Sequence, residues 1–117
     1  MEPKSLATVL PVPNLEQAVA FWRGALGVEP SFVDGDRWAQ FDFGGRRIAL
    51  AGSDRTSDLA GVMLKVDDLE AAASELADLG IELGPAEEGE HERRRTGTAP
   101  GGWSFVIYSA ASRPRPA

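Results

Sequence analysis

The stretch at residues 10–28, LPVPNLEQAVAFWRGALGV, governs the reading of this chain, because a second copy follows at residues 64–81, LKVDDLEAAASELADLGI. At one constant offset the copies match at Leu10/Leu64, Val12/Val66, Asn14/Asp68, Leu15/Leu69, Glu16/Glu70 and Ala18/Ala72. A period close to half the chain length indicates two copies of one supersecondary unit.

Each copy predicts a strand followed by a helix. Apolar residues before position 13 alternate with a period of two, as in a strand, and those after it recur at helical spacing. Asn14 in the first copy, and Asp67 or Asp68 in the second, are suitable N-caps for the helices. Gly27 and Gly80 stand where a residue in the left-handed conformation would end each helix.

Turn signals divide the remaining sequence into short strands. We predict strands at residues 29–33, 37–43, 46–51, 59–66, 82–85, 93–98 and 103–109, and an acidic loop at residues 86–92. A three-residue turn at 34–36 would put Phe32 beside Trp38. A two-residue turn at Gly44 and Gly45 sets the next hairpin, and it predicts the pairs Phe43/Arg46, Asp42/Arg47, Phe41/Ile48, Gln40/Ala49 and Trp38/Ala51.

The predicted fold class is α+β. Two tandem β-α-β-β-β repeats each form a curved four-stranded mixed sheet with one helix on its convex side, and the two sheets together enclose a cleft. We interpret residues 1–117 as a single domain, in which repeat one covers about 5–51 and repeat two about 59–109. Residues 52–58 are the predicted linker, and residues 110–117 a disordered tail.

Composition narrows the functional classes. Of the 117 residues 43% are hydrophobic and 26% charged, which is typical of a globular domain. The net charge of −6 argues against nucleic acid as a partner, and it weakly favours neutral or cationic small ligands. With no cysteine, disulfides and thiolate metal sites are excluded. No apolar run approaches the roughly 20 residues of a membrane span, and no signal region opens the chain, so we expect a cytoplasmic protein without membrane contact.

The chain resembles the vicinal oxygen chelate superfamily, which includes glyoxalases, bleomycin-resistance proteins and extradiol dioxygenases. The signature lies in residues 12–27, and the resemblance covers residues 5–109. The segments 18–22 and 32–34 are similar to the bleomycin-binding branch in particular. The final turn departs from the family, which often has Asp-Pro-x-Gly-Asn where this chain has APGGW at 99–103.

The resemblance also implies where a divalent metal would be held. Enzymes of the superfamily place His or Glu ligands on four strands, and those places fall on Ala7, Ala49, Gly61 and Val106. None of these four residues carries the oxygen or nitrogen donor that such metals require. We therefore expect no metal cofactor.

The face of each predicted sheet that looks away from its helix supplies the candidate binding residues. Aromatic rings there would stack on a planar ligand, small residues and a methionine would shape an apolar wall, and polar groups would orient the ligand. The predicted ligand-binding residues are Phe32, Trp38, Gln40, Arg47, Ala49, Met63 and Tyr108. The alternative for the aromatic residues is packing at a dimer interface, and Arg47 is also expected to pair with Asp42.

The charged residues of the second repeat are not predicted to form a metal, catalytic or phosphate-binding site. The acidic loop is predicted to be a solvated segment rather than a metal site, and His91 within it is not expected to act as a general base. Arg93, Arg94 and Arg95 alternate between two faces of a strand, so they do not form a phosphate cradle. Trp103 has the parity of the core but lies at a turn, where it would cap the cleft.

These observations predict a metal-independent protein that binds an aromatic or cationic small molecule, with no catalytic residue. Sequestration of an antibiotic, as in bleomycin resistance, is the expected action, and a homodimer is the expected assembly. One alternative is a lyase, isomerase or dioxygenase of the superfamily with non-standard metal ligands. Another is a protein-interaction module whose cleft is packed shut.

Overall fold

The protein is described by a computed structural model, which covers residues 1–55 and 58–111. Two residues of the predicted linker and residues 112–117 of the predicted tail lie outside the described residues. The elements, in chain order, are β1 (Ser5–Pro11), α1 (Leu15–Leu26), β2 (Phe32–Asp34), β3 (Trp38–Phe43), β4 (Arg46–Ala51), β5 (Gly61–Lys65), α2 (Leu69–Asp78), β6 (Glu87–Glu88), β7 (Glu92–Thr98) and β8 (Ser104–Ala110). The order confirms the predicted α+β class and the repeated β-α-β-β-β unit.

The chain divides into two compact units. Among the described residues, the first unit comprises 7–55 and 58–62, and the second comprises 1–6 and 63–111. In the first unit the strand order is β2-β3-β4-β1, and in the second it is β5-β8-β7-β6. Strand β1 runs parallel to β4, whereas the β2–β3 and β3–β4 pairs are antiparallel, so this sheet is mixed as predicted.

Both helices begin at the predicted caps. Asn14 Oδ1 accepts a hydrogen bond of 2.9 Å from the backbone N–H of Gln17, and Asp68 Oδ1 accepts one of 3.0 Å from that of Ala71. These bonds satisfy amide groups that the first turn of a helix leaves without a partner. At the other end of α1, Gly27 has a φ of 68°, a conformation that costs little only for glycine.

Each unit has its own apolar core beneath its helix. In the first unit, the face of the sheet that lies against α1 supplies Phe41 and Leu50, which pack with Leu15 and Val19 of the helix. The second core consists of Val66, Leu69, Ala72, Phe105 and Ile107. The predicted hairpin is confirmed, because Gly44 and Gly45 connect β3 to β4 with all five predicted pairs in register.

Two predicted details of the strands are wrong. The turn between β2 and β3 is residues 35–37 rather than 34–36, since Asp34 pairs with Trp38 and the backbone N–H of Arg37 donates to the Asp34 carbonyl at 2.9 Å. Phe32 consequently lies opposite Gln40. Its side chain is on the same face of the sheet as that of Trp38, but two residues further from the turn. Strand β2 itself begins at Phe32, three residues after the predicted start.

The predicted strand at residues 82–85 is also wrong, and the pairing strand is β6, inside the predicted acidic loop. Side chains explain the difference. Arg95 donates from Nε to the Gly84 carbonyl at 2.8 Å and from a terminal nitrogen to the Leu83 carbonyl at 3.3 Å. A guanidinium thus binds carbonyls that a strand ladder would use, and Pro85 has no N–H to donate.

Candidate ligand-binding face

The candidate site is built on the face of the first unit's sheet that is turned away from α1, which we call the distal face. The register places one row of side chains across all four strands, in the order Phe32, Gln40, Ala49, Val9. A second row crosses the sheet from Trp38 to Ala51 and Pro11, and Asp42 faces Arg47 in the third. Alternation forces this arrangement, because every second residue of a strand points to the same side.

Five of the predicted binding residues share the distal face. These are Phe32, Trp38, Gln40, Arg47 and Ala49. Their exposure is graded, since Phe32 is 42% exposed, Trp38 and Gln40 are half-buried, and Ala49 is 0% exposed. The other two predicted residues, Met63 and Tyr108, belong to the second unit, where Met63 is buried and Tyr108 half-buried.

A hydrogen bond joins the two central side chains of the distal face. The Trp38 indole donates from Nε1 to Gln40 Oε1 at 3.0 Å. The two residues lie two positions apart on β3, so their side chains emerge on the same side of the sheet. The bond restrains both the plane of the indole ring and the rotation of the amide.

A charged cluster forms at the next cross-strand pair of the distal face, Asp42 and Arg47. Arg47 donates from Nε to Asp42 Oδ1 at 2.7 Å, which is the ion pair that the sequence predicts. The hydroxyl of Ser31 donates to the second carboxylate oxygen, Oδ2, at 2.5 Å. The hydrogen bonds from Arg47 and from Ser31, with the charge of Arg47, lower the pKa of Asp42 below its ordinary 3.8, although burial opposes this. The carboxylate is therefore ionised at neutral pH.

The lowered pKa of Asp42 has a testable consequence for stability. Since its pKa is lower in the folded chain than in the unfolded one, the ionised carboxylate stabilises the fold above a pH of about 4. That contribution is lost as the pH falls through the folded pKa. Because the carboxylate is 41% exposed, we expect Asp42→Asn to cost only about 0–1 kcal/mol at pH 7, as measured by urea unfolding.

The loss of unfolding free energy caused by Asp42→Asn should disappear at a pH below the folded pKa of Asp42. There the protonated aspartic acid of the wild type and the asparagine of the variant are both uncharged. As a control, Arg47→Met should raise the pKa of Asp42 back toward 3.8, observed by NMR titration of the carboxylate. A cost that stayed constant from pH 7 to acid would contradict the assignment of the stabilisation to the ionised group.

Two residues that lie beside predicted binding residues or their ion pairs, Ser31 and Arg94, were not among the candidate site residues. Ser31 lies outside any strand, so no alternation pattern places it beside Asp42. In the second unit, Arg94 pairs with Tyr108 across β7 and β8, and its side chain is only 16% exposed, with Glu87 and Glu92 at 3.2 and 3.3 Å. The structure pairs Thr98 with Ser104 and Arg94 with Tyr108, and the predicted strands at 93–98 and 103–109 are one residue out of this register.

The arginine run divides between two faces, as predicted. Arg93 and Arg95 both reach Glu70 of α2, at 3.2 and 3.3 Å, whereas Arg94 contacts Glu87 and Glu92. The acidic segment is thus partly paired rather than simply solvated. Trp103, which has the parity of the core, is 68% exposed at the turn before β8.

The positions at which the family resemblance implies metal ligands do not fit a divalent cation. Ala7 and Ala49 are buried with 3% and 0% exposure, and Gly61 and Val106 likewise offer no donor side chain. Within residues 1–55 and 58–111, no group of three or more His, Cys, Asp or Glu side chains is arranged to hold a metal ion. In the same part of the chain, no helix has the length and apolar character needed to cross a membrane.

Comparison with known proteins agrees with the fold. The family model described as "Glyoxalase-like domain" matches residues 7–108. A search of curated proteins returned no significant match.

Several solved structures share the fold. One is a glyoxalase/bleomycin resistance protein/dioxygenase superfamily member from Vibrio splendidus 12B01, with 17% identity over 90% of this chain and 97% of that chain and a TM-score of 0.66. Another is methylmalonyl-CoA epimerase from Mycobacterium tuberculosis, with 18% identity over 94% and 90% and a TM-score of 0.63. A third is described as NAD-dependent benzaldehyde dehydrogenase from Legionella pneumophila, with 15% identity over 91% and 99% and a TM-score of 0.80. At these identities the likeness concerns the fold.

Proposed function

The chain belongs to the glyoxalase-like domain family, and from this premise we propose that it binds an aromatic or cationic small molecule without a metal ion. Binding would sequester the molecule and change none of its bonds, as in resistance to antibiotics of the bleomycin type. The homodimer expected from the sequence is part of the same proposal.

One observation carries the metal-independent part of the proposal. Where the resemblance implies metal ligands, the chain has the methyl groups of Ala7 and Ala49, the hydrogen of Gly61 and the isopropyl group of Val106. Divalent metals of this kind are held by carboxylate oxygens and imidazole nitrogens, so these four side chains have no chemistry to offer them.

The distal face supplies the groups that would contact the ligand. A planar ring stacked on Trp38 or Phe32 would gain roughly 0.5–1.5 kcal/mol per aromatic pair beyond the burial of apolar area. Burial itself contributes about 25 cal/mol per Å², less the entropy lost on association. The ionised Asp42 and the net charge of −6 favour a cationic ligand over an anionic one, although Arg47 offsets the field of Asp42 locally.

The first experiment compares metals with organic ligands on purified protein. Elemental analysis should find no stoichiometric Zn, Ni, Mn or Fe after purification in buffer without chelator. A thermal-shift screen should then find that Zn²⁺, Ni²⁺ and Mn²⁺ leave the melting temperature unchanged, whereas metal-free bleomycin or other aromatic cations raise it. A compound present at 100 times its Kd should stabilise the fold by about 2.7 kcal/mol.

Two aromatic variants locate the effect. Trp38→Leu should lose most of the thermal shift, because its ring is the largest aromatic surface on the distal face. Phe21→Leu is the control, since Phe21 is exposed on α1, on the other side of the sheet, and should leave the shift unchanged. Stoichiometric metal in the purified protein, or stabilisation by metals alone, would instead support a metal-dependent enzyme of the family.

A further inference from the structure

We propose that Gln40 sets the specificity of the distal face, and that it selects planar ligands that carry a hydrogen-bond acceptor, such as a ring nitrogen or a carbonyl. This inference rests on the proposed function, and it adds to it the chemical class of the ligand. It follows from the orientation of one amide, which a neighbouring side chain fixes.

The hydrogen bond from Trp38 determines which end of the Gln40 amide is available. An indole N–H can only donate, so its partner has to be the amide oxygen, Oε1, and not the amide nitrogen. The assignment therefore follows from chemistry rather than from a choice between two similar atoms. With Oε1 held at 3.0 Å from Trp38, the Nε2 group and its two N–H donors are directed away from the indole.

The two N–H donors of Gln40 have no protein acceptor in residues 1–55 and 58–111. The nearby polar groups are engaged elsewhere. Trp38 Nε1 donates to Gln40, the Ser31 hydroxyl donates to Asp42, and Arg47 Nε also donates to Asp42. Because Gln40 is only half-buried, water can satisfy its N–H groups in the free protein, and a ligand acceptor can replace that water.

The surroundings of Gln40 favour a flat ligand. Within its row, Gln40 lies between the ring of Phe32 and the methyl group of Ala49, and Trp38 stands two residues away on the same strand. A ring that stacks on Trp38 or Phe32 would therefore bring its edge near Gln40 Nε2. An acceptor on that edge gains a hydrogen bond, whereas a hydrocarbon edge leaves the two donors without water or a partner.

Two soluble probes isolate this effect. The compounds 1-(aminomethyl)naphthalene and 4-(aminomethyl)quinoline are both planar cations, and they differ by one ring nitrogen, which is an acceptor. We expect the quinoline to bind wild-type protein about 3- to 10-fold more tightly, the range that one net hydrogen bond supplies. The Kd values come from NMR titration of ¹⁵N-labelled protein.

The same spectra report on Gln40 directly. The chain has only three side-chain amides, Asn14, Gln17 and Gln40, so the Gln40 NH₂ signals can be assigned as the pair missing from Gln40→Met. The quinoline should shift these signals strongly, and the naphthalene should shift mainly the Trp38 indole N–H. This comparison uses wild-type protein and does not depend on the folding of any variant.

Variants then separate the donor from the group that orients it. Gln40→Met removes the donors and should abolish the preference for quinoline, whereas Gln17→Met, on the exposed side of α1, should keep it. Trp38→Phe retains a ring but releases the amide, so the preference should also fall.

The possible results are distinguishable. If both probes shift the Trp38 indole and bind equally well, the inference about Gln40 is wrong and the proposed function stands. If neither probe shifts Trp38 or Gln40 signals up to its solubility limit, both the inference and the proposed function fail.

Discussion

Replacing Phe41 by alanine should lower the free energy of unfolding by about 3–5 kcal/mol, the largest loss that we expect from a single substitution in this chain. Phe41 is 0% exposed and lies in the core of the first unit, where it packs with Leu15, Val19 and Leu50. Removal of the ring forfeits the burial of its surface and leaves a cavity that its neighbours fill only partly. Against a typical stability of 5–15 kcal/mol, the loss is large.

Phe21→Ala is the matched control, since it removes the same side chain from the same unit. Phe21 is 64% exposed on α1, and its ring packs edge-on against that of Trp22, at 5.3 Å between centroids. We expect a cost of about 0.5–1.5 kcal/mol, the value of such an aromatic pair. Urea unfolding followed by circular dichroism measures both variants. Equal losses would contradict the placement of Phe41 in the core.

The Phe41 variant also bears on the candidate site. Phe41 alternates along β3 with Gln40 and Asp42, so the core side of the strand and the distal face share one backbone. A shift of β3 toward the cavity would move Gln40 relative to Ala49 on β4. Ligand binding is therefore expected to weaken in this variant at temperatures where it is still folded.

The sequence predicted those parts of the fold that depend on local pattern. The repeat identified the two units, the short polar side chains of Asn14 and Asp68 marked the helix starts, and the two glycines at 44–45 fixed the β3–β4 register. Each of these signals acts within a few residues of the feature that it determines. A two-residue turn leaves only one way to pair the flanking strands, so five pairs follow from one loop.

The wrong predictions for residues 82–92 have a different cause, which is pairing with residues of the neighbouring strand β7. Residues 82–85 have the composition of a short strand, but Arg95 binds the carbonyls of Leu83 and Gly84 from 12 and 11 positions away. Similarly, the composition around Glu87 and Glu88 predicts a loop, but in the structure the two residues pair with Arg94 and Arg93 of β7. In each pair the arginine lies outside the short segment, 82–85 or 86–92, whose composition led to the prediction.

The candidate site was predictable to the same extent. The alternation of side chains along each strand, together with the register set by the turns, predicted that Phe32, Trp38, Gln40, Arg47 and Ala49 share one face. The orientation of the Gln40 amide was not predictable, since it depends on the rotamers that bring Trp38 Nε1 to 3.0 Å from Oε1. The role of Ser31 was missed for a similar reason, because its hydroxyl reaches Asp42 from outside the ladder.

Replacing Gly52 by alanine should destabilise the first unit by about 1–3 kcal/mol and disturb the turn that leads into Trp38. Gly52 is buried directly after β4, and its N–H donates to the Arg37 carbonyl at 2.9 Å. A Cβ atom at this position would overlap the carbonyl oxygen of Asp36, and it would lie 3.3 Å from Leu15 Cβ. Because the obstructing atom belongs to the backbone, no rotamer change can relieve the overlap.

The movement that Gly52→Ala forces has a defined first consequence. The Asp36 carbonyl accepts a hydrogen bond of 3.0 Å from the backbone N–H of Ser53, and that bond should lengthen or break as the turn is pushed away. Since Asp36 precedes Trp38 by two residues, the NMR signal of the Trp38 indole should shift even without ligand. The stability change itself is measured by urea unfolding.

Gly24→Ala is the control, and it should change stability in the opposite direction. Gly24 lies within α1, and a Cβ atom there would meet no heavy atom within 4 Å apart from the backbone of its own helix. Alanine in a helix interior is favoured over glycine by roughly 0.5–1 kcal/mol, because glycine loses more backbone entropy on folding. If Gly52→Ala also stabilised the protein, the close approach of Gly52 to the Asp36 carbonyl would be wrong. The turn would then have room to vary, and Trp38 would not be held by it.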